Sequence, residues 1–403
     1  MTRPILSGTF ESHVHPTVLH LDHTRTPGGA EIALRRLCEN AGHWVPVLAL
    51  PARSKGLETE DAFRDQGLSH VKVIEIGKLQ KSGASSASFA QALKFGFNIA
   101  AEAVRLRANQ AFRSADVIHA NTSRAALYGA MACFGTDKPL VVHLRDMVDS
   151  ASLGRAGEFL FRKFVLPRAD AVIGNSKATL STALPYLRSN ATAEVIPSPA
   201  GIDRRLTTSF VAPEVRNVGM VARIDPWKGQ ELLFTAFARV FKDSAAKLYI
   251  AGAPAFGHEN YLGHLKQLAR TLGIEDQVVF MGHIENIFDF LSGMDICVHS
   301  SIRPEPLGQN VLQYLAAGRP TVAVNAGGPP EWVTDRKNGL LVQMGSENDL
   351  VDALSALNND FELRKALSEG ALGFRRIPTD AEIANRFGSL ILSVRRAVIE
   401  AKA

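Results

Sequence analysis

Several short stretches of the 403-residue chain combine residue types and spacings that could do chemistry. The first is Val221-Ala222-Arg223-Ile224-Asp225-Pro226-Trp227-Lys228-Gly229-Gln230. Asp225 suits a helix N-cap and Pro226 a first helical position. The spacing predicts a helix over 226–241, with Arg223 just before it and Lys228 in its first turn. Two cations beside the positive end of a helix repel each other unless an anion lies between them. Exposed N–H groups, dipole and side chains would then all favour a phosphate. The plainer reading is a solvated turn. The second stretch is Arg303-Pro304-Glu305-Pro306-Leu307-Gly308-Gln309-Asn310-Val311-Leu312-Gln313. Two prolines hold Glu305 still at little entropic cost. Gly308 lets a ligand approach the backbone. The amides of Leu307, Gly308 and Gln309 would form a second anion cradle, and Gln313 lies one turn beyond Gln309 on the same face. A capping role for Glu305 is the alternative.

Three further stretches are weaker. Pro27-Gly28-Gly29-Ala30-Glu31 sets paired glycines before a helix, which permits close approach of a bound group or simply makes a loop. In Val141-Val142-His143-Leu144-Arg145-Asp146, His143 ends an apolar strand and reads as a site residue or a satisfied structural one. Ala326-Gly327-Gly328-Pro329-Pro330-Glu331 follows another strand; its glycines and Glu331 suit a ligand or a loop equally. Neither G-x-G-x-x-G nor G-x-x-x-x-G-K-[ST] occurs, which removes the dinucleotide fingerprint and the P-loop.

The elements that must position these residues alternate. Apolar runs at 16–21, 44–50, 71–76, 117–119, Leu140–Leu144 and Ala171–Gly174 read as strands, with helical spacing at 31–41 and 88–112. The second half repeats this: strands at 218–221, Lys247–Ala251, 278–281, Ile296–His299, Thr321–Val324 and 339–342, and helices at 226–241, Glu259–Leu272, 287–293, 309–317 and 348–357. Charges at the ends of apolar runs suit buried parallel strands. The fold class is therefore α/β, with two doubly wound, Rossmann-like sheets. The irregular stretch 198–217 holds the boundary, and the Ser/Ala stretch 82–88 reads as a mobile loop. Ligands in such folds bind outside the carboxyl ends of the strands, so the site lies in a cleft between the two halves.

Composition narrows the classes. Apolar residues make up 46% and charged residues 21%, an ordinary globular balance that excludes long disordered, collagen-like or coiled-coil chains. The longest uninterrupted apolar run, 125–135, is too short for a membrane helix. Met1-Thr2-Arg3-Pro4 does not open a signal peptide, so a cytoplasmic location is expected. Cys38, Cys133 and Cys297 lie too far apart in sequence for a disulfide framework or a four-ligand zinc site. Residues 1–205 carry 25 Lys and Arg against 18 Asp and Glu, a balance of +7, while the remainder carries 20 against 22, or −2. The basic half suits an anionic partner, or reflects ordinary surface variation. Within it, 154–168 mixes Phe159, Leu160, Phe161, Phe164, Val165 and Leu166 with Arg155, Arg162, Lys163 and Arg168. This stretch reads either as a peripheral contact with anionic lipid or as an internal helix with a charged outer face.

Taken in order, the Gly-Gly loop, His143, the Arg223/Lys228 pair, the Glu305 helix entrance and Gly327-Gly328-x-x-Glu331 resemble the retaining glycosyltransferases of family four (group 1), with the two-domain GT-B fold. The resemblance spans about 15–400 and is strongest over 218–345. It implies an acceptor-side domain over 1–205, a nucleotide-sugar-binding domain over 206–378, and a C-terminal helix over 379–403 that crosses back to the first. It implies that Arg223 and Lys228 hold the diphosphate of a nucleotide-sugar donor. Glu305 would face the donor sugar, with His143 beside it as the second catalytic position. The amides of Leu307 and Gly308 would touch phosphate or sugar, Gly29 would lie against the phosphates, and Gly282-His283-Ile284 would meet the base. It implies no cofactor and no metal, since cations and helix ends neutralise the leaving diphosphate. A sugar or lipid-linked sugar is the implied acceptor, nucleic acid is not a partner, and the pathway is cell-surface polysaccharide or glycolipid assembly. The resemblance implies that transfer with retention would proceed by attack from the face the diphosphate leaves.

The sequence departs from the family twice. Gln313 stands where a second Glu usually receives the ribose hydroxyls, so a carboxylate there would be expected to tighten binding. Ala200 replaces an Asn in Ser198-Pro199-Ala200-Gly201-Ile202-Asp203, which would alter a turn more than the chemistry. A non-catalytic sugar-nucleotide binder, or a GT-B epimerase or phosphorylase, is the alternative function.

Overall fold

A computed structural model describes residues 15–53, 61–64, 66–78, 89–203, 211–254 and 258–400. The stretch 82–88, the N-terminal residues 1–4, the domain junction at 205–206 and the last three residues lie outside the described residues.

The first half forms a seven-stranded sheet of β1 (Thr17–Leu21), β2 (Val45–Ala52), β3 (Lys72–Lys78), β4 (Val117–Ala120), β5 (Leu140–Leu144), β6 (Ala171–Gly174) and β7 (Thr192–Val195). The second half forms a six-stranded sheet of β8 (Asn217–Val221), β9 (Lys247–Ala251), β10 (Val278–Gly282), β11 (Ile296–His299), β12 (Thr321–Val324) and β13 (Leu340–Val342). Their orders, β3-β2-β1-β4-β5-β6-β7 and β10-β9-β8-β11-β12-β13, are one pattern, doubled. All the ladders are parallel. The order in which strands are added reverses between β1 and β4 and between β8 and β11, and a ligand crevice opens at such a switch point.

The helices that position the site are α1 (Gly29–Glu39), α2 (Phe89–Ala108), α3 (Ser123–Cys133), α4 (Ser150–Leu160), α5 (Lys177–Ser181), α6 (Gln230–Phe241), α7 (Gln309–Ala316) and α8 (Asp380–Glu400). Residues of α2 and α3 pack with Leu19, Ile118 and Val142 on one face of the first sheet. On its other face Ile383, Phe387, Leu390, Ile391 and Val394 of α8 pack with Val18, Leu34, Trp44 and Val141. These α8 positions recur at helical spacing, so one stripe of the C-terminal helix is the lid of the first half's core.

Several sequence expectations change. Strand β7 was not predicted: Thr-Ala-Glu-Val is polar and edge-exposed, without an apolar run. The helix expected over 88–112 breaks at Asn109, whose side chain caps a short second helix by accepting from Ala111 N at 2.9 Å. The helix expected over 226–241 is a 3-10 turn, Pro226–Lys228, followed by α6. Between them Gly229 is left-handed at φ 75°, and a Cβ there would lie 1.9 Å from Ser300 O. Lys228 thus precedes the α-helix instead of lying inside it.

Asp380, at the start of α8, ties the chain leaving the first sheet. Its carboxylate accepts from Ala200 N at 2.9 Å, Gly201 N at 3.0 Å and Ile202 N at 3.2 Å. Asp380 N in turn donates to Ile202 O at 3.0 Å. Asp380→Ala should lower unfolding free energy by roughly 2–4 kcal/mol, since each buried donor left unmade costs about 1–3 kcal/mol. A melting temperature equal to the parent's would contradict this anchoring.

Candidate functional site

At the carboxyl ends of β8 and β11, two loops meet around Glu305, which is buried. Its Oε1 accepts from Lys228 Nζ and from Ser301 Oγ, the latter at 2.8 Å, and lies 3.4 Å from His299 Nε2. Burial alone would raise the carboxyl, but the Lys228 ammonium and the contacts from His299 outweigh it and hold the group well below the usual carboxylate range. Lys228 Nζ also sits 3.9 Å over the Trp227 ring. The sequence placed Lys228 and Glu305 in one site on separate duties; the structure pairs them directly. His299 and Ser301 were missed, although His299 ends a strand as His143 does.

The glycines after β12 serve this loop. Glu305 bridges Gly327 in parallel fashion, and Gly328 N donates to Glu305 O at 2.8 Å. A Cβ on Gly327 would lie 2.2 Å from Glu305 O, and one on Gly328 2.6 Å from Leu307 O. These contacts give Gly327-Gly328 a structural role: they let two main chains touch. Glu331 has a structural partner too. Its carboxylate accepts from Lys177 N at 2.9 Å and Ala178 N at 2.8 Å, at the start of α5 in the other half. Thr179 Oγ1 donates to Pro306 O at 3.1 Å beside it.

Other predicted positions fall as follows. Gly308 is left-handed, at φ 73°, and opens α7; Leu307 packs its side chain with Val311, Trp332 and Val333. Gly29 faces α7 across the cleft: a Cβ there would lie 3.6 Å from Gln309 Oε1. Arg223 is half-buried after β8 and acts electrostatically on Asp146, in the loop after β5. Ile284 follows the edge strand β10 and is partly buried. Gln313 requires a correction. Its Nε2 donates to Ala200 O at 2.7 Å, as Gln309 Nε2 does to Pro199 O at 3.2 Å. One amide N–H is committed to the connecting segment, which leaves the oxygen and the second N–H for a ribose hydroxyl. A carboxylate at 313 would set acceptor against acceptor, so the expected tightening by Glu does not follow.

On the first half's side, the sequence missed a buried polar cluster. Asn121 Nδ2 donates to Asp22 Oδ2 at 2.7 Å, and Arg145 donates to Asn121 Oδ1 at 2.7 Å and to Ser198 Oγ. Glu31 folds back over Gly28, where a Cβ would lie 2.5 Å from its Oε2. Burial, and then the charge on Asp22, push the Glu31 carboxyl up to about 8. Potential ligand atoms of Asp22, His23 and Glu31 lie within 4.8 Å of one another. The Arg145 guanidinium offsets part of that acidity.

His143 is buried near the end of a row of rings. Trp44 Nε1 donates to His20 Nε2 at 3.0 Å, His20 Nδ1 meets His119 Nδ1 at 2.9 Å, and His119 Nε2 meets His143 Nδ1 at 3.4 Å. The repeated pattern Val-Leu-His, Val-Ile-His and Val-Val-His on β1, β4 and β5 was the available signal for this row.

Comparison with known proteins now gives these loops a context. Residues 27–204 match the model described as Glycosyltransferase Family 4, and residues 210–373 the model described as Glycosyl transferases group 1. The lipopolysaccharide core biosynthesis glycosyltransferase LpsE of Rhizobium meliloti is 33% identical over 42% of this chain and 46% of its own. A GDP-mannose-dependent phosphatidylinositol monomannoside mannosyltransferase of Mycobacterium tuberculosis is 29% identical over 52% of this chain and 60% of its own. The chain thus spans about half the length of the curated relatives it matches. Among solved structures, Anabaena HepE in complex with UDP and glucose superposes with a TM-score of 0.73 at 25% identity, over 94% of this chain and all of that one. The GT-B expectation for the fold holds.

Glu31 generates a pH prediction. Its folded pKa lies above its ordinary value of 4.5, so the stability it contributes is fully present below pH 4.5. As pH rises toward about 8 the unfolded chain releases this proton while the native state keeps it, and stability is lost. Glu31→Gln, which mimics the protonated acid, should gain stability relative to the parent between pH 5 and pH 8. Parallel melting-temperature profiles across that window would refute the assignment.

Proposed function

Since the chain belongs to the group 1, family four glycosyltransferases, we propose that it moves a sugar from a nucleotide-sugar donor to a sugar or lipid-linked sugar acceptor. Transfer retains the anomeric configuration and serves cell-surface polysaccharide or glycolipid assembly. The observation that carries this reading is the Glu305 cluster: a buried carboxylate held by Lys228, His299 and Ser301 where α7 begins, with Gly29 of the other half facing Gln309. Glu305 orients the sugar's hydroxyls. Arg223, Lys228 and the start of α7 receive the diphosphate, and Gly29 leaves it room. Ile284 meets the base at the end of β10, and the oxygen of Gln313 accepts from the ribose. The departing phosphate takes the acceptor's proton. No metal enters this reading, since Arg223 and Lys228 supply the positive charge a leaving diphosphate requires.

A thermal-shift panel of nucleotide-sugars identifies the donor, because a ligand of the native state raises the melting temperature. With that donor, Arg223→Ala should weaken nucleoside diphosphate binding by about 1.5–3 kcal/mol, the worth of a charge-assisted contact. Glu305→Gln should cut turnover yet leave diphosphate affinity equal or tighter, because it frees Lys228 from its carboxylate. Calorimetry that shows unchanged affinity for Arg223→Ala, or a large loss for Glu305→Gln, would overturn the division of roles.

The protein also rests on anionic membrane in this reading. Within 154–168, Phe161, Val165 and Leu166 are core residues, so that part of the stretch is an internal helix. Phe159 is 62% exposed, however, and the same side of the first sheet exposes Phe97 at 73%, Val104 at 70% and Phe134 at 66%. Arg107 on α2 donates to Phe134 O at 3.1 Å, which places Phe134 beside α2. Arg105, Arg107, Arg155 and Lys163 are exposed around these side chains, a combination that suits lipid headgroups. No helix among the described residues is long and apolar enough to cross a membrane. At low salt the protein should float with anionic vesicles, and Phe134→Ser with Phe159→Ser should abolish this. Equal flotation of parent and variant would move the contact elsewhere.

A further inference from the structure

Three histidines of the first sheet stand on adjacent strands, β1, β4 and β5, and share its α8-covered face with Val18, Val117 and Val141. His20 and His119 are register partners. His119 pairs with Val141, so His143 stands two residues further along β5. At about 3.3 Å per residue the row climbs toward the carboxyl ends of the strands, where the cleft opens. Phe387 of α8 walls it: its ring lies 5.8 Å from His20, 4.9 Å from His119 and 4.9 Å from Trp44. All three imidazoles are buried. Burial pushes His20 down to about 3 and His119 and His143 well below the usual histidine range, so the rings are neutral.

A neutral imidazole has one N–H and one lone pair, and the direction of a chain of such rings is set by its end. Here the end is an indole, which can only donate. Trp44 Nε1–H makes His20 Nε2 an acceptor, so the His20 proton is on Nδ1. That proton faces His119 Nδ1, which must accept, so the His119 proton is on Nε2. It faces His143 Nδ1, which must accept as well, so the His143 proton is on Nε2. The opposite order would place His20 Nε2–H against the indole N–H at 3.0 Å, donor to donor. His143 Nε2 is buried and has no hydrogen-bond partner among the described residues. An orphaned buried donor is costly, and it is relieved when an acceptor arrives.

We propose that Trp44, His20 and His119 are positioning residues that fix His143 as its Nε2–H tautomer, so that His143 offers a hydrogen bond to a substrate oxygen and cannot take the acceptor's proton. The tautomer follows from the row alone. The identity of the oxygen, on the donor sugar or the acceptor, rests on the sugar-transfer reading above.

Long-range nitrogen–proton NMR of protein labelled at histidine tests this at neutral pH without substrate. The expected spectrum has His20 protonated on Nδ1, and His119 and His143 on Nε2. A His143 proton on Nδ1, or a doubly protonated His143 ring, overturns the proposal. Trp44→Phe keeps an aromatic ring and removes the donor that sets direction. Loss of the single tautomer is expected, with a second set of signals carrying Nδ1–H at His143; retention of the Nε2–H set alone overturns the relay. If that variant does not fold, the parent spectrum still decides. With the donor identified by the panel, Trp44→Phe should lower kcat and leave nucleoside diphosphate affinity unchanged, whereas an equal loss of both would make Trp44 structural. A failed donor panel would sink the sugar-transfer reading and leave the tautomer result standing.

Discussion

Two carboxylates that accept main-chain N–H groups determine how the halves of this molecule sit together. Glu331, from the second half, receives Lys177 and Ala178 at the start of α5 in the first. Asp380, at the head of the last helix, receives Ala200, Gly201 and Ile202 of the connecting segment. Bonds between an ionised acceptor and backbone donors are roughly twice as strong as neutral ones. They also fix geometry through atoms that no side-chain change removes. With Thr179 on Pro306 O and the glutamines of α7 on the connecting segment, these two attachments help set the cross-cleft relations described above, from Gly29 against Gln309 to Arg223 near Asp146.

The Lys228–Glu305 pair is poor evidence of stability. Taking two charges out of water costs several kcal/mol per ion, and a buried pair often does no better than an apolar substitute. Such a pair is useful where a ligand must exchange into it. In the proposed reading a diphosphate reaching Lys228 would compete with Glu305, whose carboxylate keeps Ser301 as a partner and would turn toward a sugar hydroxyl. The cluster so holds an anion of its own where the proposed substrate brings another.

Much of the fold was legible because buried parallel strands are apolar throughout. Leu140–Leu144, Ala171–Gly174, Lys247–Ala251 and Ile296–His299 were read to the residue. What escaped was set by partners distant in sequence. Thr192–Val195 is a strand only because Ala171–Gly174 offers it a ladder. The break at Gly229 follows from Ser300 O, and Gly327 and Gly328 are glycines because another loop touches them. The site divides in the same way. Lys228, Glu305 and Gly308 announced themselves by local spacing with Pro and Gly, whereas Asp22, Asn121 and Arg145 form a cluster only once β1, β4 and β5 lie side by side.

The two departures from the family pattern belong together. Read separately, Gln313 seemed a weakened ribose contact and Ala200 an altered turn. In the fold, Gln313 Nε2 bonds Ala200 O, while Ala200 N bonds Asp380. A glutamate at 313 has no proton to give that carbonyl at neutral pH, so the segment Pro199–Ala200 and the second glutamine face of α7 match as donor and acceptor. Gln309 repeats the contact one turn earlier. The helix that opens beside Glu305 is therefore bonded along one face to the chain joining the two sheets. A shift of one half against the other would have to break these amide bonds or carry α7 with it.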